Sequence, residues 1–230
     1  MNRAKLIYAT DALCGWCFAT GPALEAMLEQ FGDLIELEVI TYGLCAGDRV
    51  VVMRPEFVEE FRCEAESITR KTGVEFGEGL YRFLEAPGCR LDSQPAAEAL
   101  IAVRELAPVA AFGFIHRVQQ DLFVDGVDPG DRAALRELAI ARGVDASGYD
   151  ARVESAGIVA AAEADYARVQ ALGIKQVPTL LLEAADGGTT QVFTGYIDAT
   201  SLTGRVADAL AGAMSGEGAQ GPACGPDGCD

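Results

Sequence analysis

The sequence predicts an α/β fold in which a long helical segment is inserted into one small sheet. An apolar run, a helical pattern and a second apolar run follow one another within the first 42 residues, which is the order of a βαβ unit. Between Pro55 and about Gly173 there is no convincing strand pattern. Strand patterns return at Thr179, and a hairpin and a last helix follow them.

The N-terminal unit begins with a buried strand over residues 5–10. The first helix is predicted from about Cys14 to Phe31, because apolar residues recur there at helical spacing. Pro22 falls inside this helix and should kink it, since proline removes a backbone donor. A second strand, rich in β-branched and aliphatic residues, is predicted over Leu34–Tyr42.

The inserted segment is predicted to be helical throughout, and prolines and capping residues mark where its helices begin. Helices are expected to begin at Pro55, after the N-cap Ser93, at Pro108 and at Asp131, with a last Ala-rich helix over residues 157–172.

The C-terminal part should return to the sheet. Thr179–Leu182 and Gln191–Thr194 are predicted to form a hairpin, because a turn sequence separates them. Thr200 or Ser201 should cap a last helix that ends near Met214.

Composition excludes several classes of function. The chain has 230 residues, and 18 Lys and Arg against 35 Asp and Glu give it a net charge of −17, which argues against a nucleic-acid partner and for a soluble globule. No apolar run approaches the length of a membrane span. The apolar run before Asp11 has about four residues, whereas a secretion signal needs roughly 7–15. We therefore expect a cytoplasmic protein without a membrane partner.

Four of the seven cysteines form two pairs that are close in the sequence. Cys14 and Cys17 form a Cys-Gly-Trp-Cys motif between the first strand and the first helix, where the helix N-terminus favours a thiolate. Cys224 and Cys229 lie in a Gly-, Pro- and Ala-rich tail over residues 215–230, which we expect to be mobile. The other cysteines are expected to be small buried residues or spectators: Cys45, Cys63 and Cys89.

The Cys14–Cys17 motif after the first strand, together with Val177-Pro178-Thr179 before the third, resembles the thioredoxin superfamily. The helical insertion between the two motifs resembles the DsbA-like branch, and Thr10–Cys17 is similar to its cytosolic FrnE-like group. The resemblance implies a thioredoxin fold with a mixed four-stranded sheet flanked by helices. It also implies an exposed Cys14 and a cis Pro178. The implied domains are a thioredoxin-like domain (1–45 and 174–214), an inserted helical domain (46–173) and the tail (215–230).

The implied activity is thiol–disulfide exchange, as an oxidoreductase or disulfide isomerase. Cys14 would attack a substrate disulfide and Cys17 would resolve the mixed disulfide. Val177 and Pro178 would bind an extended peptide through the backbone, and Trp16 would form an apolar shelf for it or pack as a lid. Trp16 carries no charge, so we expect only a mild lowering of the Cys14 pKa.

The implied partners are proteins or peptides that carry thiols or disulfides, with glutathione or the thioredoxin system as redox partner. No cofactor is expected besides the redox-active disulfide. Cys224 and Cys229 would exchange electrons with the first pair, as the second pair of some FrnE-like proteins suggests, or would be spectators.

Three other hypotheses stay open. A kappa-type glutathione transferase or isomerase shares the inserted architecture but generally keeps a single Ser or Cys at the nucleophile position. A holdase chaperone could use the cysteines as a redox switch. A zinc site built from both cysteine pairs is less favoured, because a low-complexity tail is a poor preorganised ligand.

Two further residues near these motifs are given structural roles. Asp11 is expected to form a cap or a loop hydrogen bond rather than to act on Cys14. His116, the only histidine, is expected at the surface or between domains and not as a catalytic base.

Overall fold

The computed structural model describes residues 3–184 and 186–215, with side chains described as far as residue 212. It contains a four-stranded sheet made of β1 (Ala4–Thr10), β2 (Ile35–Thr41), β5 (Thr179–Glu183) and β6 (Thr189–Thr194). The order across the sheet is β2-β1-β5-β6. β1 pairs with β2 in parallel, and the other two pairings are antiparallel, so the sheet is mixed, as predicted.

The predicted βαβ unit is confirmed. The helix α1 covers Gly15–Phe31 and continues through Pro22, and Cys14 is its N-cap. The two strands of the unit start or end within a residue of the predicted positions.

The inserted segment is almost entirely helical, and its predicted helix starts agree with the structure. The helices are α2 (Pro55–Thr72), α3 (Glu78–Leu84), α4 (Gln94–Leu106), α5 (Ala111–Gln120), α6 (Arg132–Ala141), α7 (Ala146–Val153) and α8 (Ile158–Ala171). A 3-10 turn over Pro108–Ala110 precedes α5, and a π-helical turn over Asp121–Asp125 follows it. The prediction missed α3, α7 and a two-residue ladder between β3 (Val51–Val52) and β4 (Arg90–Leu91).

The last helix, α9, covers Ala199–Ser215. Its first turn is bound by Asp198, whose carboxylate accepts hydrogen bonds from the Ser201 backbone N–H at 3.0 Å and from its hydroxyl at 2.6 Å. The prediction that Thr200 or Ser201 is the cap was therefore wrong. The Asp198 carboxylate, three residues before Ser201, accepts both hydrogen bonds and so caps the helix.

One hydrophobic core joins the sheet to the insertion. Tyr8 of β1 and Leu24 of α1 belong to the same buried cluster as Leu100 of α4 and Phe114 of α5. The helices therefore hold the sheet in place, and with it the start of α1. The boundaries of the two predicted domains stay a prediction.

A second cluster lies on the side of the molecule where α1 begins. Leu13 and Phe18 pack there with Val58 of α2, Leu80 of α3 and Phe123 of the π-helical turn. The described helices include none that is long and apolar enough to cross a membrane.

Candidate functional site

The two cysteines of the first motif lie at the N-terminus of α1, where β1 ends. Cys14 has an extended backbone, and its Sγ accepts a hydrogen bond from the Cys17 backbone N–H at 3.1 Å. The thiol also lies 3.7 Å from the carbonyl oxygen of Val177, to which it donates. Both cysteines are free thiols. A nucleophilic sulfur is thus held between a helix N-terminus and a second backbone segment.

Cys14 is much less exposed than predicted. It is 5% exposed and Cys17 is fully buried, so Cys14 remains the more accessible sulfur but not an open one. Burial, followed by the neighbouring Cys17, raises the pKa of the Cys14 thiol well above its ordinary value, although the Cys17 N–H hydrogen bond lowers it. The expected mild lowering of this pKa was therefore wrong, because desolvation outweighs the helix N-terminus.

The Val177–Pro178 peptide bond is cis, as the resemblance implied. Two hydrogen bonds fix the segment before it. The Tyr42 hydroxyl donates to the Lys175 carbonyl at 2.9 Å, and the Thr179 hydroxyl donates to the Gln176 carbonyl at 2.8 Å. The Val177 carbonyl is therefore held in place against Cys14.

A groove with a volume of about 380 Å³ opens at Cys14, and we call it the Cys14 groove. The α1 start contributes Cys14 and Trp16, α2 contributes Glu64 and Ile68, and the segment before β5 contributes Lys175 and Val177. Aromatic rings also line the Cys14 groove. They include Phe76 and Phe123, whose ring centroids are 5.4 Å apart. Trp16 is half-buried, and Lys71 Nζ lies 5.4 Å from the centroid of its ring. Most of the lining is apolar, which suits an organic or peptidic ligand.

Asp11 organises the loop that precedes the motif. Its buried carboxylate accepts hydrogen bonds from the Leu13 N–H at 3.0 Å, the Leu44 N–H at 2.8 Å and the Ser93 hydroxyl at 2.9 Å. The predicted loop hydrogen bond is thus confirmed. Ser93 does occupy the N-cap position of α4, but its hydroxyl binds Asp11 and not the helix.

His116 is buried rather than at the surface, and it packs against Gly21 of α1, so it lies between the two predicted domains, which was the other expected position. It is 3% exposed and stacks on Phe112 with ring centroids 5.7 Å apart. Burial lowers the pKa of His116 and favours the neutral ring. Its position on the side of α5 that faces α1 reflects packing rather than catalysis.

Two residues near the sulfurs were not predicted as part of the site. Tyr8 is buried on β1, and burial followed by Cys17 raises its pKa. Cys45 is half-buried and lines the Cys14 groove, and burial raises its pKa to about 11. Of the cysteines expected to be buried or spectators, Cys89 is buried and Cys63 is exposed. In the sequence, the only indication that Tyr8 belongs to the site was its place in the strand that leads to the cysteine motif.

The second cysteine pair, Cys224 and Cys229, lies outside the described residues, so its role and the four-thiolate zinc hypothesis stay predictions. Within residues 3–184 and 186–215 no group of three or more His, Cys, Asp or Glu side chains could hold a metal ion.

Comparison with known proteins identifies a family and several similar structures. The family model described as DSBA-like thioredoxin domain matches residues 6–206. A search of curated proteins gave no match.

Three solved structures illustrate the range of similar proteins. A candidate protein disulfide isomerase from Nitrosomonas europaea has a TM-score of 0.78 and 22% identity, over 91% of this chain and 98% of that one. The cytosolic disulfide reductase DsbM from Pseudomonas aeruginosa, solved with GSH, has a TM-score of 0.69 and 23% identity, over 92% of this chain and 98% of that one. A 2-hydroxychromene-2-carboxylate isomerase has a TM-score of 0.56 and 12% identity, over 94% and 100%. At these identities the structures establish the shared fold only.

Proposed function

The chain belongs to the family of DSBA-like thioredoxin domains, and on that premise we propose that it is a thiol–disulfide oxidoreductase. The observation that carries this proposal is the position of Cys14. Its sulfur caps α1, accepts the Cys17 N–H at 3.1 Å and faces the Val177 carbonyl at 3.7 Å beside an open groove. Cys17 is the only other cysteine in the same helix turn.

The chemistry follows from this arrangement. The Cys14 thiolate attacks one sulfur of a substrate disulfide, so that a mixed disulfide forms and one substrate thiolate leaves. Cys17 then loses its proton and attacks the Cys14 sulfur, and the second substrate thiolate leaves. Two electrons pass to the substrate, whose two thiolates take up the protons. The Val177 backbone would hold an extended peptide during both steps.

The preferred direction is reduction of the substrate. Burial raises the pKa of Cys14 and makes its thiolate costly, so the dithiol form gains less stability from ionisation than it does in a strong oxidant. A reductase also fits the cytoplasmic location that we propose, where disulfides are kept reduced. Glutathione or a thioredoxin system would then restore the dithiol.

The test is reduction of insulin and refolding of a scrambled disulfide protein by the purified chain. We expect Cys14→Ser to abolish both activities, and Cys17→Ser to trap a mixed disulfide on Cys14. Cys63→Ser, at an exposed cysteine, is the matched control and should keep full activity. Full activity of the Cys14→Ser variant would refute the proposal.

A glutathione-dependent isomerase is the second candidate. The fold shared with 2-hydroxychromene-2-carboxylate isomerase favours it. Retention of Cys17 beside Cys14 counts against it, because an isomerase of this kind needs one nucleophile and no resolving thiol. Glutathione binding with no turnover of any disulfide would support this candidate over the first.

A further inference from the structure

The lysines of this chain are unevenly placed. The chain contains only three: Lys5, Lys71 and Lys175. Lys5 lies on β1 and forms ion pairs with Glu38 at 3.2 Å and Glu183 at 3.3 Å. The other two lie at the Cys14 groove, although the chain as a whole carries a net charge of −17.

The two remaining lysines lie on different elements at the Cys14 groove. Lys175 lines the groove and precedes by two residues Val177, whose carbonyl contacts the Cys14 sulfur. Lys71 is in the last turn of α2, with its ammonium 5.4 Å from the centroid of the Trp16 ring. Trp16 itself lines the groove.

Neither lysine is neutralised by the part of the chain that the structure describes. Both are exposed, and no described carboxylate comes within ion-pair distance of either. Among the residues that line the groove, Lys175 and Glu64 carry opposite charges, and Lys71 adds a second ammonium group beside the ring of Trp16, which also lines the groove. When Lys71 is counted, two ammonium groups and one carboxylate lie in or beside the groove, an excess of positive charge on a chain whose net charge is −17.

We propose that this positive charge selects the substrate: the Cys14 groove takes small disulfides that carry carboxylates near their sulfurs, and Lys71 and Lys175 bind those carboxylates. This inference rests on the proposed function. A groove of about 380 Å³ suits a small ligand. An acidic protein segment would extend beyond the groove and meet the negative surface, which would repel it.

The experiment measures single-turnover oxidation of the reduced protein by three small disulfides that differ in charge. Dithiodipropionate is anionic, cystamine is cationic and hydroxyethyl disulfide is neutral. The reaction is quenched in acid, and the Cys14–Cys17 disulfide is quantified by mass spectrometry. Emission from Trp16 is not used, because Lys71 contacts its ring. The ratio of variant to wild-type rate constants cancels the intrinsic reactivity of each disulfide.

We expect Lys71→Gln and Lys175→Gln each to lower the rate constant for dithiodipropionate by about two- to fivefold, as for an exposed ion pair. The rate constants for cystamine and hydroxyethyl disulfide should not fall. Lys71→Arg and Lys175→Arg should keep the wild-type pattern, and added salt should weaken the effect. Glu64→Gln removes a negative charge from the groove and should raise the rate constant for dithiodipropionate.

Arg136→Gln removes the same charge from α6, away from the groove, and should change none of the three rates. The inference is overturned if the lysine variants react with all three disulfides in the same ratio to wild type, whether lowered or unchanged. If the wild-type protein forms no Cys14–Cys17 disulfide with any of them, the proposed function itself fails, which is a different result.

Discussion

Two opposing effects meet at the sulfur of Cys14. The helix N-terminus supplies the Cys17 N–H at 3.1 Å, which stabilises a thiolate, whereas burial of the thiol destabilises it. Burial is the larger effect, and the pKa of Cys14 is raised. At neutral pH the thiol form therefore predominates, and reactivity depends on how easily the proton is lost.

The first prediction is that the alkylation rate of reduced Cys14 keeps rising with pH through pH 9. The thiolate is the reactive form, and a raised pKa moves its formation to higher pH. The rate at Cys14 is measured by mass spectrometry after brief treatment with iodoacetamide, because other cysteines also react. A plateau below pH 8 would show that the thiolate is stabilised rather than disfavoured.

The second prediction concerns Asp11, whose charge adds to the raised pKa of Cys14. Asp11→Asn should speed alkylation of Cys14 at pH 8 by roughly two- to fivefold, as loss of an interaction of about 0.5–1 kcal/mol would. Ser93→Ala removes one hydrogen bond to Asp11 but keeps the charge, so it is the matched control. Equal acceleration in both variants would mean that loop geometry, not charge, is responsible.

At the residue scale, the sequence predicted the motif residues but not their environment. Cys14, Cys17 and the cis Pro178 were identified because each lies in a short, contiguous motif. The burial of Cys14 was not predictable, since it depends on contacts such as the one with Val177, 163 residues away. Cys45 was missed for the same reason.

At the scale of elements, α1 and α5 pack closely where a glycine faces a histidine. A Cβ built on Gly21 would lie 1.9 Å from Cε1 of His116, so the contact requires glycine. The contact packs the buried imidazole of α5 directly against α1, the helix that begins at the cysteine motif.

The third prediction is that Gly21→Ala lowers the free energy of unfolding by about 1–3 kcal/mol, as overpacking does. Adding His116→Ala should remove part of this loss, because the clash disappears although a cavity remains. Gly204→Ala in α9 is the control, since a Cβ there meets nothing within 4 Å, and it should be neutral or stabilising. Urea unfolding measures these three variants and the single His116→Ala variant. If the losses of the two single variants add up in the double variant, the clash is excluded.

Element boundaries were predicted well where local residue types decide them, as at Pro55 and Asp131. The prediction failed where a distant partner competes. The Ser93 hydroxyl, expected to cap α4, binds Asp11, which is 82 residues away in the sequence. The β3–β4 ladder has two residues in each strand, too few to produce a periodic pattern.

At the scale of the whole molecule, ion pairs join the sheet to the insertion. Glu38 on β2 pairs with Arg168 on α8 and with Lys5 on β1. Burial raises the pKa of Glu38, but the hydrogen bonds and charges of Arg168 and Lys5 outweigh it and lower that pKa to about 2. Because the folded pKa is below the unfolded one, the stabilisation is present above about pH 5 and is lost as the pH falls towards 2.

The fourth prediction is that Glu38→Gln lowers the free energy of unfolding at pH 7 by about 1–3 kcal/mol and flattens its fall between pH 5 and 2. Glu36→Gln on the same strand is the control, because Glu36 is exposed and outside this network. Denaturant unfolding as a function of pH gives both the free energy of unfolding at pH 7 and its fall between pH 5 and 2. The same acid dependence in wild type and Glu38→Gln would contradict the assignment.

The central claim is that Cys14 and Cys17 form one two-electron redox couple, and equilibration in glutathione buffers tests it most directly. The measurement uses the Cys224→Ser, Cys229→Ser variant, with the emission of Trp16, the only tryptophan, and the mass of the alkylated protein as readouts. We predict a cooperative Cys14–Cys17 transition with a reduction potential nearer to about −270 mV than to about −120 mV, because burial disfavours the Cys14 thiolate. Failure to form that disulfide at any ratio of reduced to oxidised glutathione would contradict the account.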